Sequence, residues 1–434
     1  MPDDLWDILI IGAGAAGLAT AIFAARAARD TNRRTSILLL EGAPRVGAKI
    51  LVSGGGRCNV THDRIDASDY YASPNIVKRV LRSFDENDAV DWMYEMGVEL
   101  KTEATGKLFP VTDRAATVRD ALLNECDKLG VALRVEQRVD TIEKSEPHFD
   151  VRGAGETFRS RRVVLATGGR SLPRTGSDGH GYELAKQLGH SVTPTTPALA
   201  PLRLDAGFFH KPLSGVTHDA QLRIFIAGKL AGRRTGSVLW THFGLSGPVA
   251  MDLSRLWTQA HHAGQPLRVE MSLAPDASFE QVEQQFMQAA QRRPKASLAS
   301  VVSDALSQVG GGNIPGAIPA AVVEHVMRAS QLSEAPPASQ LSREVRRSLV
   351  HALTALVLPV TGDRGWNYAE ATAGGVPLGE VDVRTMASRR CAGLYLVGEI
   401  LDCDGRIGGY NFQWAWATGS LAGRGVVADW PAAG

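Results

Sequence analysis

Charge of one sign is what this 434-residue sequence most plainly lacks: 47 Lys and Arg stand against 46 Asp and Glu, a net of +1. That balance gives no electrostatic footprint for a nucleic acid or an anionic membrane, and neither partner is expected. Cysteine is scarce. Cys58, Cys126, Cys391 and Cys403 are widely spaced, with no CxxC pair and no metal-ligand cluster, so no metal is expected. A basic leader is also missing: Asp3, Asp4 and Asp7 precede the first apolar run, which argues against a signal peptide. A reducing cytoplasm is the expected compartment. The uncharged stretch Ile8–Ala25 nears the length of a membrane span, but its glycines fall where a turn is needed. No internal repeat or low-complexity tract stands out. The composition is that of a globular chain, 44% hydrophobic and 21% charged. The length predicts two to three domains.

What is present is concentrated in Asp7–Glu41. An apolar strand, Ile8–Ile11, runs into Gly12-x-Gly14-x-x-Gly17, a helix from Ala15 to about Ala28 follows, and a second apolar strand, Ile37–Leu40, ends on Glu41. Strand, glycines, helix, strand and terminal acid in this register form a dinucleotide fingerprint. Gly12 permits the tight turn, Gly14 the approach of a pyrophosphate, and Gly17 close packing of helix on sheet. The helix start, with Ala15 and Ala16, presents unpaired N–H groups to the phosphates. Glu41 sits where a carboxylate takes the hydroxyls of a ribose, with Gly42 beside it.

Further along, Lys49 precedes Ser53-Gly54-Gly55-Gly56-Arg57-Cys58-Asn59, a loop whose backbone can press against a flat or phosphorylated ligand. Arg57 can supply a bidentate charge for pyrophosphate. Cys58 reads as a small buried residue before it reads as a redox thiol. Residues 75–98 are helical in period, Gly106–Pro110 is a turn, Ala115–Leu129 a helix, and Val131–Val139 strand-like, with Val139 placed to offer backbone to an adenine. A hairpin is expected over His148–Val151 and Glu156–Arg159. The strand Arg162–Ala166 closes on Thr167-Gly168-Gly169, whose small residues suit the floor of a nucleotide site. A helix covers Tyr182–Leu188.

Pro194, Pro197 and Pro201 then mark a change. Residues 202–273 alternate as half-buried antiparallel strands do, in Leu222–Ile226 and Leu267–Leu273. The loop Thr241-His242-Phe-Gly-Leu-Ser246-Gly-Pro248 lies between those two runs. His242 reads equally as a structural histidine and as a substrate-facing catalytic group. Residues 278–356 are helical stripes, opened by a Ser278–Gln281 capping box and broken at Gly310–Asn313 and Ala335–Pro337. The last segment is glycine-rich again. A strand, Gly393–Gly398, ends on Glu399; then Asp402 and Gly408-Gly409-Tyr410-Asn411 lead into a helix. An acid at a strand end can hold a ribityl chain, and a helix start can present N–H groups to the electron-rich edge of a flavin.

Taken together, Gly12–Gly17, Ser53–Asn59, Ala166–Gly169, Thr241–Pro248, Gly374–Val376, Gly398–Asp402 and Gly408–Asn411 resemble the bacterial BaiN-like NAD(P)/FAD-dependent oxidoreductases, over nearly the whole chain. The resemblance implies an α/β fold: a Rossmann-like FAD-binding domain interrupted by a β-barrel that itself carries a helical bundle. The expected parts are 1–195 and 358–434 for FAD, 196–275 for the barrel and 276–357 for the helices. By resemblance, Glu41 binds the adenosine ribose, Gly12–Gly17 and Arg57 the pyrophosphate, Glu399 and Asp402 the ribityl chain, and Asn411 the flavin. Lys107 and His180 depart from the pattern, where arginine and an acid are usual. The expected function is hydride transfer from NAD(P)H through FAD to a small organic acceptor, with reduction of a C=C bond implied by resemblance alone. Two other readings stay open. One is an RNA-modifying flavoprotein. The other is a redox sensor using Cys58 and Cys403. A second full GxGxxG unit is absent, so a nicotinamide need not have a dedicated domain.

Overall fold

The fingerprint's apolar strand forms the centre of a nine-stranded sheet. The structure is a computed structural model that describes residues 5–309, 318–329 and 337–428. Strand β1 (Leu5–Ile11) feeds helix α1 (Ala15–Asp30), which returns to β2 (Ile37–Leu40). Outside β2 lies β3 (Ala132–Arg134). On the other side of β1 lie β4 (Glu156–Leu165) and then β5 (Leu394–Leu396). All four of these pairings are parallel. Continuous apolar runs such as Ile8–Ile11 and Ile37–Leu40 are what a sheet covered on both faces needs, and these residues are buried. In register, Ile11 stands opposite both Leu40 and Leu165, while Leu165 stands opposite Leu396. The carboxyl ends of β1, β2, β4 and β5 therefore finish level. Gly12, Glu41, Ala166 and the Val397–Gly398 turn leave the sheet along one edge, where ligands of open α/β sheets bind.

The final helix, α2 (Tyr410–Ala428), lies along α1. Glycines set that closeness. A Cβ on Gly419 would stand 2.8 Å from the Ala16 carbonyl oxygen, and one on Gly423 would stand 2.7 Å from the Thr20 carbonyl oxygen. Trp416 donates its indole N–H to the Val60 carbonyl at 2.9 Å, which ties α2 to the segment after the glycine-rich loop.

Contacts divide the chain into two units, residues 1–196 with 369–434, and residues 197–368, each with its own hydrophobic core. The second unit holds a seven-stranded antiparallel sheet. Its strand path has two ends, Leu356–Leu358 and Val360–Asp363, and no pairing among the described residues joins them. The expected barrel is, on this pairing, an open sheet. Four helices follow in the same unit: Phe279–Arg292, Leu298–Gln308, Ala320–Ala329 and Arg343–Thr354. The Ser278–Gln281 capping box forms as read, with Ser278 Oγ accepting from the Gln281 N–H. Gly310–Asn313 and Ala335–Pro336 fall outside the described residues.

Several expectations needed correction. The helical stretch 75–98 is two helices, Pro74–Leu81 and Glu86–Glu95, because Asp85 caps the second with its own capping box. Lys107–Pro110 is a strand, not a turn. Val131–Val139 splits into β3 and a separate strand, Val139–Ser145. Within the strand-like region lies a helix, Pro248–His262, with Pro248 at its first turn, where a missing N–H costs nothing.

A buried polar tie fixes the hairpin at the sheet's far edge. His190 Nδ1 donates to Glu380 Oε2 at 2.8 Å, and Ser388 Oγ lies 2.7 Å from His190 Nε2. Ser191 donates its hydroxyl and its N–H to Glu380. Burial pushes the His190 pKa below 6.5, Glu380 only partly opposing it. Burial works against the Glu380 carboxylate, yet the bonds from Ser191 and His190 outweigh it and hold its pKa below 4.5. Both folded pKa values are depressed, so this tie contributes fully above about pH 6.5 and is lost as pH falls. The denaturant midpoint should therefore drop between pH 6.5 and pH 4, and His190→Gln should flatten the upper part of that profile; an unchanged slope in the variant would refute the assignment.

Candidate functional site

The site begins where β1 ends. Gly12 has φ of +102°, and a Cβ there would sit 2.5 Å from the Ala166 carbonyl oxygen. A Cβ on Gly17 would sit 1.9 Å from the Gly12 carbonyl oxygen. Both glycines are thus demanded by the protein's own packing. Gly14 differs: a Cβ there meets nothing within 4 Å. It caps α1 without a side-chain hydrogen bond, so no capping side chain takes up the first-turn N–H groups. Glu41 braces this turn. Its Oε2 accepts from the Ala13 N–H and its Oε1 from the Ala43 N–H, each at 2.9 Å. Gly42 lies against Arg138, and Gly176 comes within reach of Glu41 Oε1. Val139 starts its strand beside them, its carbonyl accepting from His180 Nε2 at 3.1 Å.

A second group is built around an ion pair. Lys49 Nζ donates to Glu399 Oε2 at 2.6 Å, to Ser171 Oγ at 2.9 Å and to Ser177 Oγ at 3.0 Å. Glu399 Oε1 accepts from Ser171 Oγ at 2.7 Å and from the Thr372 N–H at 2.8 Å. Burial opposes the ionised Glu399, but the charge of Lys49 and these hydrogen bonds prevail and hold its pKa below the usual value. The Thr167-Gly168-Gly169 run exists to admit this cluster: a Cβ on Gly168 would stand 2.7 Å from Ser177 Oγ, and one on Gly169 2.3 Å from Thr372 Oγ1. Glu399, expected on a ribityl chain, has a carboxylate taken up by Lys49, Ser171 and Thr372.

The remaining candidates fall into three sets. In the loop, Ser53–Gly56 forms a tight helical turn with Gly54 and Gly55 left-handed. Gly55 and Gly56 are open on their Cβ side to at least 3.9 Å, while Gly54 packs on Phe109. Arg57 lies 3.9 Å over the Phe109 ring and pairs with Glu103 at 2.6 Å. Cys58 is fully buried, and burial pushes its thiol up to about 12. That thiol stays protonated near neutral pH, which removes the main support for a redox role. In the return segment, Gly398 packs against Ala16, and its N–H donates to Thr418 Oγ1 at 3.0 Å. Asp402 Oδ2 accepts from Thr193 Oγ1 at 2.9 Å. Gly409 abuts the Thr61 backbone, Gly408 faces Tyr410, and the Asn411 amide makes two bonds to the Gly405 backbone at 2.9 and 3.0 Å. Thirdly, His242 belongs to the second unit, exposed at a hairpin tip against Phe243. Ser171, Ser177, Thr372 and Thr193 were missed. They are isolated hydroxyls; only the tertiary fold brings Ser171, Ser177 and Thr372 to the ion pair and Thr193 to Asp402.

Whether a dinucleotide fits can be judged from what the protein leaves unmet. Asn59 Oδ1 and Thr167 Oγ1 are buried and, among the described residues, have no hydrogen-bond partner. Such groups are costly unless something binds them. Together with the open Gly14 face, they fit a flavin dinucleotide.

A family model described as the HI0933-like protein Rossmann domain matches residues 6–425. The chain belongs to this family. The BaiN-like resemblance read from the motifs stands with it. Over 416 residues it is 33% identical to the 3-dehydro-bile acid delta(4,6)-reductase of Clostridium scindens, covering 96% of this chain and 97% of that protein. Over 432 residues it is 33% identical to the ribosomal RNA dihydrouridine synthase of Escherichia coli K12, covering 98% of each. Its fold is like that of 3-ketosteroid delta1-dehydrogenase from Sterolibacterium denitrificans, with a TM-score of 0.51, 13% identity, and 98% and 100% of the two chains covered. The chain is an FAD-dependent oxidoreductase.

The Lys49–Glu399 pair yields a direct test. Lys49→Met strands a largely buried carboxylate and should cost about 3 kcal/mol of stability. The double variant Lys49→Met/Glu399→Gln should recover most of it, so the denaturant midpoints of the cycle should be strongly non-additive; additive losses would mean the pair is not coupled.

Proposed function

We propose that this protein reduces a carbon–carbon double bond conjugated to a carbonyl group, with NAD(P)H as electron donor. One observation carries the reading. Two relatives matched over nearly their whole length bear names of unlike substrates and like chemistry. A delta(4,6)-reductase of a 3-oxo ring system and an enzyme that makes dihydrouridine both saturate an electron-poor C=C bond beside a carbonyl.

FAD, when bound, supplies the two-electron exchange between donor and acceptor. The chain's own part is positional and electrostatic. The N–H groups at the start of α1 meet phosphate charge, with Gly14 leaving room for it. Glu41 holds the turn in shape through the Ala13 and Ala43 N–H groups and keeps lone pairs for a ribose. Asn59 and Thr167 offer buried polar atoms to a ligand. Lys49 and Glu399 fix each other by pairing, and the partial positive charge at the start of α2, beyond Gly408-Gly409, is the proposed partner for negative charge on the reduced flavin. His242, read from the sequence as a substrate-facing group, is the proposed proton donor. The four cysteines are free, which suits a cytoplasmic setting, and no helix among the described residues is long and apolar enough to cross a membrane.

The test is anaerobic stopped flow. NADH or NADPH should bleach the flavin absorbance, and a conjugated dienone or a uridine-containing RNA should restore it. Reoxidation by oxygen or quinones alone would sink the double-bond reading; no bleaching by either nucleotide would sink the donor.

A second reading, that the acceptor is a base within RNA, gains from charge distribution. Residues 197–368 hold 16 Lys and Arg against 12 Asp and Glu, leaving 31 against 34 elsewhere. The near-zero total thus hides a net +4 in the second unit. On this reading the protein binds RNA at low salt and loses it steeply between 50 and 200 mM; binding indifferent to salt would count against it.

A further inference from the structure

A polar groove of about 540 Å³ lies within the first unit, outside the residues predicted to meet FAD except where its floor joins them. Its walls carry three permanent cations, Arg138, Arg170 and Lys186, against two carboxylates, Asp178 and Glu183. Gly179 shapes it. With φ of +89°, Gly179 lets Arg170 lie flat, since a Cβ there would stand 2.6 Å from the Arg170 side chain. Arg170 Nη1 reaches Thr195 Oγ1 at 3.2 Å. The other two cations sit in exposed pairs: Arg138 with Asp178 at 2.8 Å, and Lys186 with Glu183 at 3.0 Å. Their side chains are about half exposed. Pairs of this kind contribute little and yield readily to a stronger anion. A guanidinium is the preferred partner of a phosphate, and a phosphomonoester dianion outcompetes a single carboxylate in charge.

The floor gives the groove its direction. Thr193 Oγ1 donates to Asp402 Oδ2 at 2.9 Å, and the Tyr182 hydroxyl donates to the Glu399 carbonyl at 3.4 Å. Both partners belong to the return segment Gly398–Asp402. The volume suits an adenosine carrying two phosphates. The chain has no second GxGxxG unit, so a pyridine nucleotide must be anchored by some other feature.

We propose that this groove binds a phosphomonoester carried on a nucleotide, the source named being the 2′-phosphate of NADPH, so that NADPH is preferred over NADH. The proposal rests on the reductase reading for its purpose but not for its test. The probes are 2′,5′-ADP and 5′-AMP, titrated calorimetrically into the FAD-loaded protein. The 2′,5′-ADP should bind at least tenfold more tightly than 5′-AMP, and less tightly as salt rises. Arg170→Ala should weaken it at least tenfold. Lys186→Glu, at an exposed position that tolerates the change, should do the same while flavin content and Tm hold. NADPH should then reduce the flavin at correspondingly lower concentration than NADH. Equal affinity for the two probes, or unchanged affinity in Lys186→Glu, overturns the proposal. If 2′,5′-ADP binds as expected but neither NADPH nor NADH bleaches the flavin, the groove stands as a phosphomonoester site and the donor assignment falls.

Discussion

The pairing of Lys49 with Glu399 is the constraint on which the first unit depends. It joins a helix just after β2 to the turn just after β5, across 350 residues of sequence. Its desolvation is met by three hydroxyl or amide groups from two further segments. To admit these groups, the chain leaving β4 must carry no side chains at Gly168 and Gly169. A largely buried ion pair adds little stability against an apolar substitute, but it tolerates only one arrangement of its neighbours. Here that arrangement brings the first and last segments of the domain to one edge of the sheet.

Legibility in the sequence followed the range of the interactions involved. The run β1–turn–α1–β2 was readable because its determinants are local. Gly12 and Gly17 answer to packing within their own motif and its neighbouring strand, and each apolar strand is its own evidence. The capping box at Ser278 was readable for the same reason. The helix Pro248–His262 was not, because its first residue read as the end of a loop and its apolar residues lie between two strand-like runs. The break at Asp85 was overlooked although a cap is local; the apolar positions on both sides of it kept a helical spacing.

The candidate site shows the same division more sharply. Sequence position identified the glycines at strand ends, and the fold places them along one edge. It did not identify partners. Glu399 and Arg57 were read as facing the ligand because strand ends and glycine loops usually present their charges there, yet each has an oppositely charged neighbour in the fold. Ser171, Ser177 and Thr372 carry no pattern at all until Lys49 is beside them. Whole-chain charge is uninformative for a related reason: a sum over two units of opposite sign says nothing about either.

The level ends of β1, β2, β4 and β5 have a consequence for how the protein is made. A ribosome releases the glycine turn and Lys49 early, then the whole of the second unit, and only afterwards the strand that carries Glu399. Domains generally fold as units, from the amino end onward. Here the amino-terminal half of the sheet must wait, with its outer strand edge unpaired and the Lys49 ammonium uncompensated, while an intervening domain is synthesised and folds on its own core. The Lys49–Glu399 pair therefore closes only after the intervening unit has been made, across 350 residues of sequence.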